Sequence, residues 1–263
     1  MSRPLLLATT IVCLFLASCE NNTATKNMKT KKTTNSEKTV HRVLVVLTSH
    51  SQLGNTGKPT GFFLSEVTHP LDVFVTAGMA VDFVSPKGGI APMDGVDRAD
   101  ATNLRFLKSP DFMHQMQNTE VPERINIEEY DAIFFAGGHG TMWDLPNNTT
   151  LQKLTTEMHQ QGGIVAAVCH GPAGLVNVRT GTGEYLVKGH RVASFTNSEE
   201  RAVGLTGIVP FLLEDTLREH GAQMVVVEDF KKNVVVSERL VTGQNPASAR
   251  GVAEAVVRLL NAQ

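Results

Sequence analysis

The sequence lacks the features on which several large classes of protein depend. Its 24 Lys and Arg residues are balanced by 26 Asp and Glu residues. It therefore has no basic excess of the kind that nucleic-acid surfaces carry, and we expect no nucleic-acid partner. Neither a Cys-x-x-Cys pair nor a His-Glu-x-x-His motif occurs, and His50, His69 and His139 do not have metal-ligand spacing. We therefore expect no metal site.

A long apolar run is also missing. The run from Leu5 to Leu16 follows Arg3 and is shorter than the roughly 20 residues that a membrane-spanning helix needs. It predicts a signal peptide over residues 1–18. Because small residues precede the cysteine in Leu16-Ala17-Ser18-Cys19, we expect cleavage by a lipoprotein signal peptidase and a lipid on Cys19. A plain secretory signal with a nearby cleavage site is the alternative, and it changes the anchor but not the export.

Residues 19–40 have almost no apolar side chains and cannot bury enough surface to fold. We expect them to form a flexible tether between a membrane and a domain over residues 41–263. The sequence predicts a protein of the cell envelope, lipid-anchored on a periplasmic or other extracytoplasmic face. Which membrane holds it is left open, and so is a homodimer.

Cysteine is scarce, with three in the whole chain. Cys13 would leave with the signal peptide and Cys19 would carry the lipid, so Cys169 is the remaining thiol of the mature domain. An intramolecular disulfide is then excluded. A lone cysteine in an exported protein is either buried and inert or kept for its reactivity.

Short apolar runs alternate with stretches of helical spacing along the predicted domain. The predicted strands are Val43–Leu47, Val81–Ser85, Ala132–Ala136, Ile164–Val168 and Arg191–Ser194. The predicted helices are Gly61–Ala77, Thr149–Gln161, Pro210–His220 and Ala247–Leu260. Alternating strands and helices predict an α/β fold with a doubly wound, mostly parallel sheet sandwiched by helices, of the flavodoxin-like kind. Functional residues are then expected at the carboxyl ends of the strands.

Two segments depart from this alternation. Met224–Val227 and Asn233–Val236 flank a polar turn and predict a small antiparallel hairpin near Leu240–Thr242. Residues 88–128 have weak periodicity, which favours an insertion that covers one edge of the sheet.

The segment Val168-Cys169-His170-Gly171-Pro172 predicts a sharp turn from a strand into a helix. Glycine permits the turn, and proline is favoured in a first helical turn. Cys169 would then lie at a helix N-terminus, whose dipole favours a thiolate, so we expect a nucleophile with a lowered pKa. A packed core cysteine is the alternative, but it does not explain the residues that follow.

A second strand ends in Ala136-Gly137-Gly138-His139-Gly140-Thr141. Glycines let backbone amides point at a ligand, so the amides of Gly138 and His170 are expected to form an oxyanion hole. A glycine-rich turn without a ligand is the alternative. The expected proximity of the two strand ends favours the site.

These two motifs resemble the ThiJ/PfpI superfamily, which has the class I glutamine amidotransferase-like fold, and the resemblance extends over about residues 42–259. Three further segments resemble the branch with glutathione-independent glyoxalase III and its stress-chaperone relatives. They are Thr60–Glu66 with His69-Pro70, Phe195–Glu200 and Thr242–Ala249.

The resemblance implies roles for individual residues. Cys169 is the expected nucleophile, His170 its partner, Glu66 an acid/base beside the thiol, and Glu200 the carboxylate that orients His170. A thiol needs a base, and the base needs a third group to hold its tautomer, so the set is coherent. Adjacent residues point in different directions, so only one of Glu199 and Glu200 is expected to reach His170, and we favour Glu200.

The implied activity is conversion of a small 2-oxoaldehyde such as methylglyoxal to the 2-hydroxy acid, D-lactate, without a cofactor. A protein deglycase or a peptidase-like hydrolase would use the same thiol, and a holdase chaperone is an alternative of another class. The sequence does not separate these.

Overall fold

The computed structural model describes residues 40–262. The predicted signal peptide, the Cys19 lipidation site and the tether up to residue 39 lie outside the described residues. The strands are β1 (Arg42–Val46), β2 (Phe62–Phe63), β3 (Ala80–Val84), β4 (Met93–Asp94), β5 (Ala132–Phe135), β6 (Ile164–Val168), β7 (Arg191–Val192), β8 (Gln223–Met224), β9 (Val234–Ser237) and β10 (Leu240–Gly243). The α-helices are α1 (Ser65–Thr76), α2 (Ala101–Leu107), α3 (Pro110–Gln117), α4 (Thr141–Asp144), α5 (Thr149–Gln160), α6 (Asn197–Ala202), α7 (Leu213–Glu219) and α8 (Ala249–Leu260).

One sheet contains the strands in the order β3, β1, β5, β6, β10 and β9. The first five strands run parallel, and Val45 in β1 is in register with Phe83 of β3 and Phe134 of β5. The chain goes from β1 outward to β3 and then returns to the other side of β1, which places a topological switch point between β1 and β5. The predicted doubly wound, mostly parallel α/β fold is confirmed.

The predicted antiparallel hairpin is present, but its strands are β9 and β10, with Leu240 opposite Ser237. The prediction that Met224–Val227 contributes a hairpin strand was wrong. The Val225 amide instead donates to the Val192 carbonyl. The Val225 carbonyl accepts from Asn233 Nδ2, and the Val227 amide donates to Gln244 Oε1. β8 pairs in parallel with β7 in a separate two-stranded sheet.

Helices cover both faces of the sheet because the strand residues are apolar on both sides. On one face, Val45 packs with Phe74 of α1 and Val256 of α8, and on the other face Leu44 packs with Leu154 of α5. Burying an aliphatic or aromatic side chain of this size stabilises a fold by roughly 1.5–3 kcal/mol. Among the helices of the described residues, none combines the length and the apolar character needed to cross a membrane.

The expected insertion over residues 88–128 contains β4, α2, α3 and a 3-10 turn at Pro122–Arg124. Asp100 caps α2 by accepting from the Asn103 amide, and Ser109 caps α3 by accepting from the Phe112 amide. Phe112 is buried in the core of the sheet. The insertion therefore contributes to the core as well as to one edge.

Four neighbouring strands end at the same edge of the sheet. β1 is followed by Leu47-Thr48, β5 by Ala136-Gly137, β6 by Cys169, and β10 ends at Gly243. Because the carboxyl ends of parallel strands meet at one edge, the predicted site residues of the two motifs are brought together there.

Candidate active site

Cys169 lies at the bend between β6 and a short 3-10 helix, Gly171–Leu175. Its φ of 59° is in the left-handed region that residues other than glycine rarely adopt. The Cys169 amide donates to the Gly243 carbonyl over 2.9 Å, and the Phe195 amide donates to the Cys169 carbonyl over 2.8 Å. A Cβ at Gly171 would lie 2.2 Å from the Phe135 carbonyl oxygen, so this turn requires glycine. Neighbouring strands thus hold the strained thiol-bearing residue in place.

A chain of three side chains begins at the thiol. Cys169 Sγ is 3.4 Å from His170 Nδ1, and His170 Nε2 is 2.8 Å from Glu200 Oε2. Glu200 lies in the first turn of α6, and the ring of Phe195 packs on the imidazole of His170 at 4.4 Å between ring centres. The structure therefore brings the predicted nucleophile, its partner and the orienting carboxylate together in one line.

Glu199, the alternative to Glu200, has a different set of partners. Its Oε2 accepts from the Thr196 amide at 3.0 Å, which completes a capping box at the start of α6. Its Oε1 accepts from the Phe230 amide at 2.7 Å and from Asn245 Nδ2 at 2.8 Å. Both oxygens of Glu199 therefore accept hydrogen bonds from the helix cap and from two neighbouring loops. Glu200 is the residue that contacts His170.

Glu66 in α1 is fully buried beside the thiol. Its Oε2 accepts from the Gly137 amide at 2.9 Å, while its Oε1 has no hydrogen-bond partner among the described residues. Burial raises the pKa of Glu66 to about 8, against the opposing influence of the Cys169 thiol and the Gly137 amide. The carboxyl is therefore protonated at neutral pH, and its free oxygen is available to exchange a proton with a bound substrate.

The amides predicted to form an oxyanion hole lie on the two motif loops. Gly138 has a φ of 103°, which favours glycine, and its amide donates to no other described residue. The His170 amide lies close enough to the Cys169 sulfur to favour the thiolate. Thr141 joins the loops, since its Oγ1 is 2.8 Å from the Gly138 carbonyl and 3.1 Å from the His170 carbonyl. Sequence reasoning did not single out Thr141, although a threonine three residues after a glycine turn is a usual side-chain-to-backbone donor.

Burial raises the pKa of the Cys169 thiol well above its usual range, and the carboxyl of Glu66 acts in the same direction. The prediction of a lowered pKa was therefore wrong. That prediction relied on a helix dipole, but only a short 3-10 helix of five residues follows the cysteine, and the residue is 4% exposed. Desolvation of the thiolate outweighs so short a dipole.

Burial also lowers the pKa of His170 to about 4, with the neighbouring His139 acting in the same direction and Glu200 opposing. For Glu200, burial favours the neutral acid, but hydrogen bonds from His139 and His170 outweigh it and lower the pKa to about 2. The resting site at neutral pH thus has a thiol, a neutral imidazole, an ionised Glu200 and a protonated Glu66. A neutral His170 is the form that can take the proton from the thiol.

His139 belongs to this site, although sequence reasoning assigned it no role. Its Nε2 is 3.0 Å from Glu200 Oε1, and its ring centre is 4.1 Å from that of His170. In the described part of the chain, His139, His170 and Glu200 are the residues whose ligand atoms are close enough to hold a metal ion, all within 4.8 Å. Each Nε2 atom lies at hydrogen-bond distance from a different oxygen of the Glu200 carboxylate, which fits a hydrogen-bonded chain. His139, His170 and Glu200 are far apart in the sequence, so no local motif indicates that they form one cluster.

The comparisons with known proteins agree with this geometry. The sequence model of the DJ-1/PfpI family matches residues 59–259. Glutathione-independent glyoxalase HSP31 of Saccharomyces cerevisiae is 34% identical, with 81% of this chain and 94% of that protein covered. Glyoxalase 3 of Candida albicans is 33% identical, with 82% of this chain and 97% of that protein covered.

Solved structures are also similar over most of the chain. The crystal structure of glyoxalase III from Candida albicans has a TM-score of 0.77 and 32% identity, with 83% of this chain and 96% of that chain covered. Rapid Encystment Protein 24 kDa of Francisella tularensis has a TM-score of 0.82 and 40% identity, with 84% and 99% covered. The resemblance found in the two motifs is confirmed, and the chain belongs to the DJ-1/PfpI family.

Proposed function

We propose that this protein is a glutathione-independent glyoxalase that converts a small 2-oxoaldehyde such as methylglyoxal to the 2-hydroxy acid. The observation that carries the proposal is the protonated, buried carboxyl of Glu66 beside the Cys169 thiol. Two relatives that share a third of its residues over most of their length are named as glyoxalases. A deglycase or a peptidase-like hydrolase would use the same thiol and histidine, but neither needs an acid that moves hydrogen between two carbons.

The first half of the reaction forms a bond between Cys169 Sγ and the aldehyde carbon. The thiol proton passes to His170 Nδ1, and Glu66 gives its proton to the aldehyde oxygen, which yields a hemithioacetal. The Glu66 carboxylate then takes the hydrogen of the former aldehyde carbon as a proton. His170 protonates the neighbouring carbonyl oxygen, and the product of this step is an enediol.

The second half returns the enzyme to its starting state. Glu66 delivers its proton to the second carbon and recovers one from the first hydroxyl, which leaves a thioester of the 2-hydroxy acid. Water attacks the thioester with His170 as base, and the amides of Gly138 and His170 hold the oxyanion. Cys169 leaves and takes its proton back from His170, and the acid ionises. The balance is one 2-oxoaldehyde and one water for one 2-hydroxy acid anion and one proton.

The test is to incubate the full-length protein with methylglyoxal, without glutathione and with a metal chelator, and to measure lactate by chirally resolved chromatography. We expect lactate from the wild type and none above background from Cys169→Ala. Methylglyoxal loss without lactate, or lactate formation that survives Cys169→Ala, would contradict the proposal.

We also propose that the protein is exported and lipid-anchored through Cys19 to the cell envelope. The Leu16-Ala17-Ser18-Cys19 sequence and the polar residues after it support this. Labelled palmitate should enter the wild type and not Cys19→Ala, and the variant should leave the membrane fraction. Equal labelling of the two would refute the anchor.

A further inference from the structure

The carboxylate of Glu200 is shared between two histidines. His170 Nε2 lies 2.8 Å from Oε2, and His139 Nε2 lies 3.0 Å from Oε1. Among the described residues these are its side-chain partners, and neither is an arginine or a lysine. The negative charge of Glu200 is therefore shared between His170, the proposed base, and His139. The reaction proposed above assigns no role to His139.

The two histidines differ in their access to solvent. The side chain of His170 is 1% exposed and that of Glu200 is 5% exposed, whereas that of His139 is 18% exposed. His139 also follows Gly138 directly, so its bond to Glu200 links the predicted oxyanion loop to α6. Its ring contacts His170 at 4.1 Å and Phe195 at 5.9 Å between ring centres.

A carboxylate stabilises a protonated imidazole less when another donor already engages it. The hydrogen bond from His139 therefore opposes protonation of His170, and any positive charge on His139 would oppose it further. Burial acts in the same direction, and the pKa of His170 is lowered to about 4. The remaining titratable groups around His170 are Cys169 on the β6 turn, Glu66 on α1 and Glu199 on α6.

We propose that His139 is a positioning residue that occupies one oxygen of Glu200 and thereby keeps His170 in the neutral form that acts as a base. Its place in catalysis rests on the proposed function, because His170 is the base of that reaction. Without the hydrogen bond from His139, the negative charge of Glu200 interacts with His170 alone. The imidazolium form of His170 then becomes more favourable, and activity fails at a higher pH than in the wild type.

The experiment compares His139→Leu, which removes the donor, with His139→Gln, which keeps an amide donor of similar reach. The rate of lactate formation, as kcat/KM, and the rate of Cys169 alkylation by iodoacetamide are measured from about pH 3 to pH 8, so that the range includes the wild-type pKa of His170, which is about 4. Loss of one hydrogen bond to a charged group corresponds to roughly one pKa unit. We expect the acidic limb of both profiles to move up by about one pH unit in His139→Leu and to stay near the wild-type position in His139→Gln.

Two controls separate this role from a general structural one. His41→Leu removes another partly exposed histidine that contacts a carboxylate, Asp131, at 3.2 Å, and it should leave the acidic limb in place. In a Glu200→Gln background the His139→Leu change should cause no further shift, because the shared charge is gone. If His139→Leu does not fold, His139→Asn, whose amide is too short to reach Oε1, replaces it.

An unchanged acidic limb in His139→Leu, or an equal shift in His139→Gln, overturns the proposal. Absence of lactate from the wild type overturns the glyoxalase function instead. The alkylation profile still reports on His139 and His170 in that case, so the two failures are distinguishable.

Discussion

Replacement of Glu66 by Gln separates the chemistry of the site from its stability. The change keeps the size of the side chain. In the wild type the Gly137 amide donates to Glu66 Oε2 over 2.9 Å, and the amide oxygen of glutamine can accept the same hydrogen bond. In the proposed reaction it removes the carboxyl group that carries a proton between the two substrate carbons. General acid/base groups contribute typically ~100- to ~10,000-fold, so turnover of methylglyoxal should fall by at least about 100-fold.

The same change should stabilise the fold at neutral pH. The pKa of Glu66 is raised from 4.5 to about 8 by burial, so the wild type is most stable below the unfolded pKa and loses stability as pH rises towards the folded one. Each pKa unit corresponds to about 1.4 kcal/mol, and pH 7 lies about 2.5 units above the ordinary value. Glu66→Gln avoids this cost, so its free energy of unfolding at pH 7 should exceed that of the wild type by up to about 3 kcal/mol.

The assay pairs lactate formation with urea unfolding of the wild type and of Glu66→Gln at pH 4 and pH 7. We expect an inactive variant that is more stable at pH 7 and loses this advantage at pH 4. Retention of more than about a tenth of the wild-type turnover would show that Glu66 is not the proton carrier. A variant less stable than the wild type at both pH values would show that the carboxyl is not buried as a neutral acid.

The remaining predictions concern the thiol, the two adjacent glutamates and the loop contact. Iodoacetamide should alkylate Cys169 more slowly at pH 7 in the folded protein than in urea-unfolded protein, because burial raises the pKa of the thiol. Equal rates would contradict this. Glu200→Gln should lower kcat with little effect on the melting temperature, whereas Glu199→Gln should lower the free energy of unfolding by roughly 1–3 kcal/mol, as measured by urea unfolding; the reverse pattern would exchange their roles. Thr141→Val should lower kcat about fivefold, since one hydrogen bond of roughly 1 kcal/mol holds the two amide-bearing loops together, and steady-state kinetics with wild-type values would refute this.

Much of the main sheet could be predicted because its strands are buried on both faces. Ile164–Val168 is predicted to the residue as β6, and Val43–Leu47 differs from β1 by one residue at each end. Such strands read as uninterrupted apolar runs. The helix predicted over Gly61–Ala77 is shorter in the structure, as α1 begins at Ser65. Residues 62 and 63 instead form a two-residue strand that pairs with Met93 and Asp94. No local sequence pattern predicts this pairing.

The parts that could not be predicted depend on contacts between distant residues. The strand predicted over Arg191–Ser194 is limited to β7, and the Ala193 amide bonds to the side chain of Thr242. The pKa of Cys169 depends on burial by the finished fold, which a motif does not contain. His139 was missed because its partner Glu200 lies 61 residues away.

The backbone bonds around Cys169 also determine when the thiol becomes a catalyst during synthesis. Its amide donates to the Gly243 carbonyl of β10, and its carbonyl accepts from the Phe195 amide. A growing polypeptide that does not yet include β10 carries every residue of the Cys169 motif but lacks the bond that fixes its geometry. We therefore expect the proposed nucleophile to react like an ordinary cysteine until the last parallel strand is in place, and a chain that stops before β10 to be inactive.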